Sequence, residues 1–169
     1  VRQAVRRAAQ GAAVLAAVAA VSGCAVQSDA VAGISVTEDG RPLGVLLVCG
    51  HRIDGATLST SEGSHEETIG NWTAHAALGP GLSTWTLDAP AEGWETGRSA
   101  TPLDAGTTYH LRGWTKDNSR SSTATAFTPE DLKQLTPGTV RYDGTASDGS
   151  GTTRTVPVEE FRATACAKR

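Results

Sequence analysis

The sequence predicts a mainly β fold, an antiparallel sandwich with one or two short appended helices, and three observations predict it. From Gly33 onward, short apolar or alternating runs of strand length are separated by Gly, Pro, Asn, Asp and Ser. Residues 43–49 (L-G-V-L-L-V-C) form a continuous apolar run too short for a core helix but suited to a buried strand. Helical spacing is confined to two short stretches, one after Thr128 and one after Pro157.

Taken in order, residues 25–32 (A-V-Q-S-D-A-V-A) show no periodicity and read as a short tether. Residues 34–37 alternate, and Glu38, Asp39 and Gly40 offer a turn. Residues 43–49 read as a central strand buried on both faces, ending on Cys49. Ile53, Asp54 and Gly55 read as the next turn, residues 56–60 as a strand and 61–64 as a polar loop. Trp72, Ala74, Ala76 and Leu78 alternate with Thr73, His75 and Ala77 in a strand closed by Gly79, Pro80 and Gly81. Residues 82–87 form a shorter strand with Trp85 and Leu87 on one side. Residues 88–102, rich in Gly, Pro, Ala and Glu, read as a long connection in which Trp94 stands alone.

Residues 107–115 place Tyr109, Leu111 and Gly113 on one face of a strand and His110, Arg112 and Trp114 on the other. A turn at 116–120 leads back through 123–127, an antiparallel hairpin. Thr128 then caps a helix with Pro129 at its first position, Glu130 and Asp131 in its first turn and Leu132 packed back on Phe127. Pro137 and Gly138 end it. Residues 140–142 read as a last strand and 143–153 as a mobile loop. Val158, Phe161 and Ala165 keep helical spacing after Pro157, so that Cys166 rides on a short helix.

Ahead of this pattern, Arg2, Arg6 and Arg7 precede an uncharged apolar stretch at residues 11–21, a basic region followed by a hydrophobic one. That stretch falls short of the roughly 20 apolar residues a spanning helix needs. It runs into Val21, Ser22, Gly23 and Cys24, which resemble the lipobox of bacterial lipoproteins. The resemblance implies that residues 1–23 are a signal peptide and that the Cys24 thiol carries a diacylglyceryl group. It also implies that a dedicated peptidase cuts before Cys24, whose new amine is open to acylation. One acyl chain holds a protein marginally at a membrane and two or more hold it stably. Residues 24–32 would then be the lipidated tether and 33–169 a single domain. The richness in Ala, Gly and Arg suggests a high-GC Gram-positive bacterium, and the expected address is the outer face of its cytoplasmic membrane.

Beyond residue 23, twelve basic residues face eighteen acidic ones, a formal charge of −6 that argues against a nucleic-acid partner. Cys49 and Cys166 are the cysteines left once Cys24 is lipidated, and an even pair in an exported protein reads as a disulfide. Two buried free thiols are the alternative. A metal pair lacks a third or fourth ligand at zinc-like spacing.

Residues 103–111 (L-D-A-G-T-T-Y-H-L) resemble the Leu-x-Pro-Gly-Thr-x-Tyr-x-Val stretch of fibronectin type III domains, with Ala105 where the family has proline. The resemblance spans about 25 residues (103–127) and implies an immunoglobulin-like sandwich. It also implies that the Tyr109 hydroxyl bonds back to the backbone at a strand corner. The helix after Phe127 and a bridge to the C-terminal element depart from that family.

No G-x-S-x-G, H-E-x-x-H, P-loop or G-x-G-x-x-G signature occurs, so no catalytic residue, metal ligand or cofactor is assigned. His51 beside Asp54 offers an acid/base pair, more plainly read as a surface hydrogen bond. His51, His65, His75 and His110 are dispersed. Residues 143–149 look like a calcium loop but have Arg154 where an EF-hand needs Glu. Trp72 and Trp85 read as core. Trp94 and Trp114, with His110 and Arg112, are the candidate contacts for a ligand or partner, since exposed aromatic faces stack on sugars or anchor proteins. The expectation is a non-enzymatic surface module that is held to the membrane through Cys24 and binds a protein or glycan of the envelope. The alternative is an envelope hydrolase or solute-binding accessory with a site around His51, Asp54 and His110.

Overall fold

The computed structural model describes residues 26–62, 65–100, 102–146 and 148–167; the expected signal peptide and Cys24 lie outside them. In chain order the elements are β1 (Gln27–Val36), β2 (Pro42–Val48), β3 (Ile53–Glu62), β4 (His65–Leu78), β5 (Gly81–Thr86), β6 (Trp94–Arg98), β7 (Tyr109–Trp114), β8 (Arg120–Thr123) and β9 (Thr125–Phe127). They continue with α1 (Pro129–Gln134), β10 (Thr139–Thr145), β11 (Gly151–Pro157) and α2 (Val158–Thr164). The fold is mainly β, a nearly closed, barrel-like sandwich with two short helices. Among the described residues, no helix is long and apolar enough to cross a membrane.

Strand β1 organises the sheet. One of its edges pairs antiparallel with β2 from Ala30 opposite Val48 to Val36 opposite Pro42. The other edge is shared: its first half runs parallel to β8, and Ile34 pairs with Arg141 of β10. Beyond β2 lies β5, and on the far side β7, β3, β4 and β6 follow one another. The two ends of this path meet where the Ala100 N–H donates to the Leu87 carbonyl at 3.2 Å and Trp85 packs on Trp94 with ring centroids 4.5 Å apart.

Two cores result. Ile34, Leu46, Val48, Leu58, Trp72, Trp85, Trp94, Leu111 and Phe127 fill the barrel. Val31, Val45, Leu47, Val140, Tyr142, Val156 and Phe161 form an outer layer in which the β10–β11 hairpin and α2 cover β1 and β2. Alternate residues of β2 therefore enter different cores, which is why its apolar run is unbroken. Full burial of a side chain such as Phe161 is worth about 1.5–3 kcal/mol. Gly33 lets β10 cross closely, since a Cβ there would sit 2.6 Å from Val140 Cγ1. Cys49, just past β2, and Cys166, two residues past α2, are joined with their Cα atoms 5.6 Å apart, which ties the outer layer to the sheet.

Local chemistry explains the helix and the strand corner. Thr128 Oγ1 accepts the Asp131 N–H at 3.2 Å while Asp131 Oδ2 accepts the Thr128 N–H at 2.9 Å, a reciprocal cap for α1. The Tyr109 hydroxyl accepts the Asp104 N–H at 2.7 Å, fixing the approach to β7.

Several expectations need correction. Residues 27–32, expected in the tether, belong to β1; burial on both faces erases the two-residue alternation that would reveal a strand. Ile53, Asp54 and Gly55 begin β3 rather than forming a turn, and the 61–64 loop shrinks because β3 reaches Glu62 and β4 starts at His65. The long connection at 88–102 contains β6, an edge strand that buries only Trp94 and so leaves no pattern. Residues 140–142 are not the last strand: β10 extends to Thr145 and pairs with β11 across much of the expected mobile loop. The second strand of this hairpin, β11, buries only Val156, so it carries no sequence pattern of its own.

Candidate functional site

The outward face of β3, β4, β7 and β8 forms a groove of about 540 Å³ whose lining includes Trp114, Arg112, Arg120, Asn71, Glu66 and Val26. Strand register builds it. Trp114 lies opposite Gly55, Arg112 opposite Thr57 and His110 opposite Ser59, while Asn71 of β4 faces Thr57 from the other side. Gly55 is required for this geometry, because a Cβ there would come within 2.3 Å of the Trp114 ring and 2.6 Å of the Trp72 carbonyl oxygen. Its missing side chain lets the Trp114 indole lie down on the sheet. Trp114 is half-buried and Arg112 exposed. Among the described residues Arg112 has no ion-pair partner, so its guanidinium is available to an anion.

At the end of the groove, where β1 and β8 begin and β7 stops, buried Asp29 is a small electrostatic hub. Its Oδ2 lies 2.7 Å from His51 Nδ1 and 2.9 Å from the Arg120 guanidinium. Burial pushes the Asp29 carboxyl up, but the hydrogen bond from His51 and the charge of Arg120 outweigh it, and the net shift is below its ordinary 3.8. Nearby Asp54 accepts the Lys116 backbone N–H at 2.8 Å. Asp117 is pushed far down by hydrogen bonds from the Ser119 and Thr115 hydroxyls, with the Ser119 backbone and the Arg52 charge adding to them. At the other end of the groove Glu66 accepts from Ser59 Oγ at 2.7 Å.

The candidate residues meet different fates. Arg112 and Trp114 line the groove, and His110 sits half-buried on the same face of β7. Trp94 does not join them: it is 7% exposed and packs on Trp85 inside the barrel, so Trp94 and Trp114 share no patch. Trp72 and Trp85 are core residues, as expected. His51 and Asp54 do not pair, since His51 bonds Asp29 and the Asp54 carboxylate is turned to the Lys116 amide. Among the described residues, neither is hydrogen-bonded to His110. Nor, among them, do three or more His, Cys, Asp or Glu side chains gather to hold a metal.

No family model, curated protein or solved structure matches the chain. The residue that sequence reasoning missed altogether is Asp29. It lies in a stretch read as tether, and its partners, His51 and Arg120, are 22 and 91 positions away. A lone acid among alanines and valines was the signal available.

Proposed function

We propose that the protein is a lipid-anchored surface module of the bacterial envelope that works by binding through the Trp114–Arg112 groove rather than by catalysis. The observation that carries this reading is a guanidinium without an ion-pair partner among the described residues beside a flat indole, both fixed on paired strands. Arg supplies planar, charge-assisted recognition of anionic groups, and the indole supplies a stacking face. The lipobox-like Val21–Ser22–Gly23–Cys24 sequence supports the anchor and the outward address. The reading of the sandwich as fibronectin III-like or immunoglobulin-like is supported by the Asp104-to-Tyr109 hydrogen bond on the motif that suggested it. No observation favours the hydrolase alternative, because His51 and Asp54 are each committed to another partner.

Labelled fatty acid should enter the expressed protein, and Cys24→Ser should abolish both labelling and membrane attachment. Equal attachment of the serine variant overturns the anchor. Crosslinking in intact envelopes should recover a component with the parent protein and much less of it with Arg112→Ala and Trp114→Ala; equal recovery overturns the groove as the binding face.

A further inference from the structure

The groove opens at the end of the barrel nearest the anchoring cysteine. Only Ala25 separates Cys24 from Val26, which lines the groove and is 52% exposed. Two residues of extended chain span at most about 7 Å. A lipid on Cys24 therefore holds this end of the barrel within the thickness of a headgroup layer.

What stands at this end is set by strand register. Gln27 pairs with Arg120, Trp114 with Ser121 and Gly55 with Trp114, so the start of β1, the start of β3, the end of β7 and the start of β8 lie side by side. The charges gathered there are Arg52, Arg112, Lys116 and Arg120 against Asp29, Asp54, Asp117, Glu66 on the groove wall and Glu95, which pairs with Thr73 beside Gly55. Asp29 is paired with Arg120, Asp54 and Asp117 with Arg52, and Glu66 accepts from Ser59, so that among the described residues Arg112 and Lys116 are the cations here without an ion-pair partner. Asp29 and Asp54 are buried and bonded within the fold, whereas Arg112 and Lys116 are exposed. A domain that is acidic beyond residue 23 therefore presents these two exposed cations beside its anchor. With this end turned to an anionic bilayer, those two cations face its surface charge. Trp114 adds an amphipathic ring of the kind enriched at the membrane–water interface, and Val26 an exposed aliphatic side chain beside it.

We propose that this groove receives the phosphate-bearing headgroups of the bilayer that holds the anchor, with Arg112 and Lys116 facing phosphates and Trp114 at the interface. The barrel is thereby fixed in one orientation on the membrane. This names the occupant of the groove and rests on lipidation of Cys24.

The test uses the full acylated protein, purified and reconstituted into phosphatidylcholine vesicles with or without phosphatidylglycerol, with brominated acyl chains as quencher. The other three tryptophans are at most 7% exposed inside the barrel, so quenching reports Trp114. A quenched component is expected in the anionic vesicles and should vanish in Trp114→Phe. It should fall at least severalfold in the Arg112→Gln/Lys116→Gln variant and at high salt, with the near-ultraviolet circular dichroism of each variant matching the parent. Trp114 unquenched in both vesicle types, or quenching that survives Trp114→Phe, overturns the proposal. A mass spectrum of the N-terminal peptide from the same sample separates the two claims. An acylated peptide with unquenched Trp114 removes the headgroup contact and leaves the anchor standing; an unacylated peptide removes both.

Discussion

Opening the Cys49–Cys166 bridge should be the most costly single change to the folded domain that leaves the interior of the barrel intact. The two cysteines are 117 positions apart, so the bridge closes almost the whole domain into a loop. The loop-closure relation gives about 5 kcal/mol of stabilisation for that length at 25 °C, an upper figure; 2–4 kcal/mol is typical of measured bridges. The structure adds a native-state component. Helix α2 has seven residues, no side-chain cap at Pro157 and one buried residue, Phe161, which meets Tyr142 edge-on at 4.9 Å. Such a helix is marginal alone. The Cys49→Ala/Cys166→Ala protein should therefore unfold in urea with a stability about 3–5 kcal/mol below the oxidised parent. It should show a steeper dependence on urea, because its denatured state exposes more surface. Amide exchange divides the two effects: α2 should lose protection ahead of β1 and β2. A loss below about 1 kcal/mol with α2 protection unchanged would refute both the loop argument and the clamp.

Three further outcomes are expected. Gly44→Ala places a Cβ within 2.4–2.8 Å of three atoms of the buried Trp85 ring, so it should cost at least about 1–3 kcal/mol and shift tryptophan emission as the Trp85–Trp94 contact opens. Asp29→Asn removes the charge shared by His51 and Arg120. Because the folded pKa is depressed, the stability from Asp29 is complete above its ordinary 3.8 and is lost as pH falls through the folded value. The variant should thus be less stable at neutral pH, by on the order of 1 kcal/mol given the exposed His51, and the gap should close in strong acid on a urea-midpoint-against-pH curve. Thr128→Ala breaks the reciprocal cap of α1 and should cost about 0.5–2 kcal/mol in thermal or urea unfolding.

How much of the fold could be read from the sequence depended on how each strand is buried. Where a strand has one buried and one wet face, as β7 does, alternation names both the strand and the residues it presents outward. Where it is buried on both faces, large side chains still betray it, as in β2, but small ones do not. The first half of β1 reads Gln27, Ser28, Asp29, Ala30, Val31, small and polar residues without a pattern, and so looks like linker. Edge strands fail in the opposite sense: β6 buries one residue, and β11 shows its one buried side chain, Val156, near its end. In both cases the backbone pairing that makes the strand leaves no mark in the order of side chains. The α1 cap and the cysteine pairing were legible because each rests on a local or unique chemical requirement.

The groove divides along the same line. Arg112 and Trp114 could be placed together from residues 107–115 alone, since residues two apart on a strand share a face. Grouping Trp94 with Trp114 failed, because a tryptophan in a glycine- and proline-rich segment carries no statement about what lies across from it. Here that is Trp85, at the seam where the sheet closes. The seam also limits where binding can occur. With Trp72, Trp85 and Trp94 filling the interior and Ala100 bonded to Leu87 across the gap, the proposed binding falls to the outer surface of the sheet. On that surface Gly55 removes the side chain that would lift Trp114 off the strands. A Gly55→Ala protein should therefore lose the flat indole and also strain the β3–β4 pairing at the Trp72 carbonyl, which a lower urea midpoint than the parent's would register.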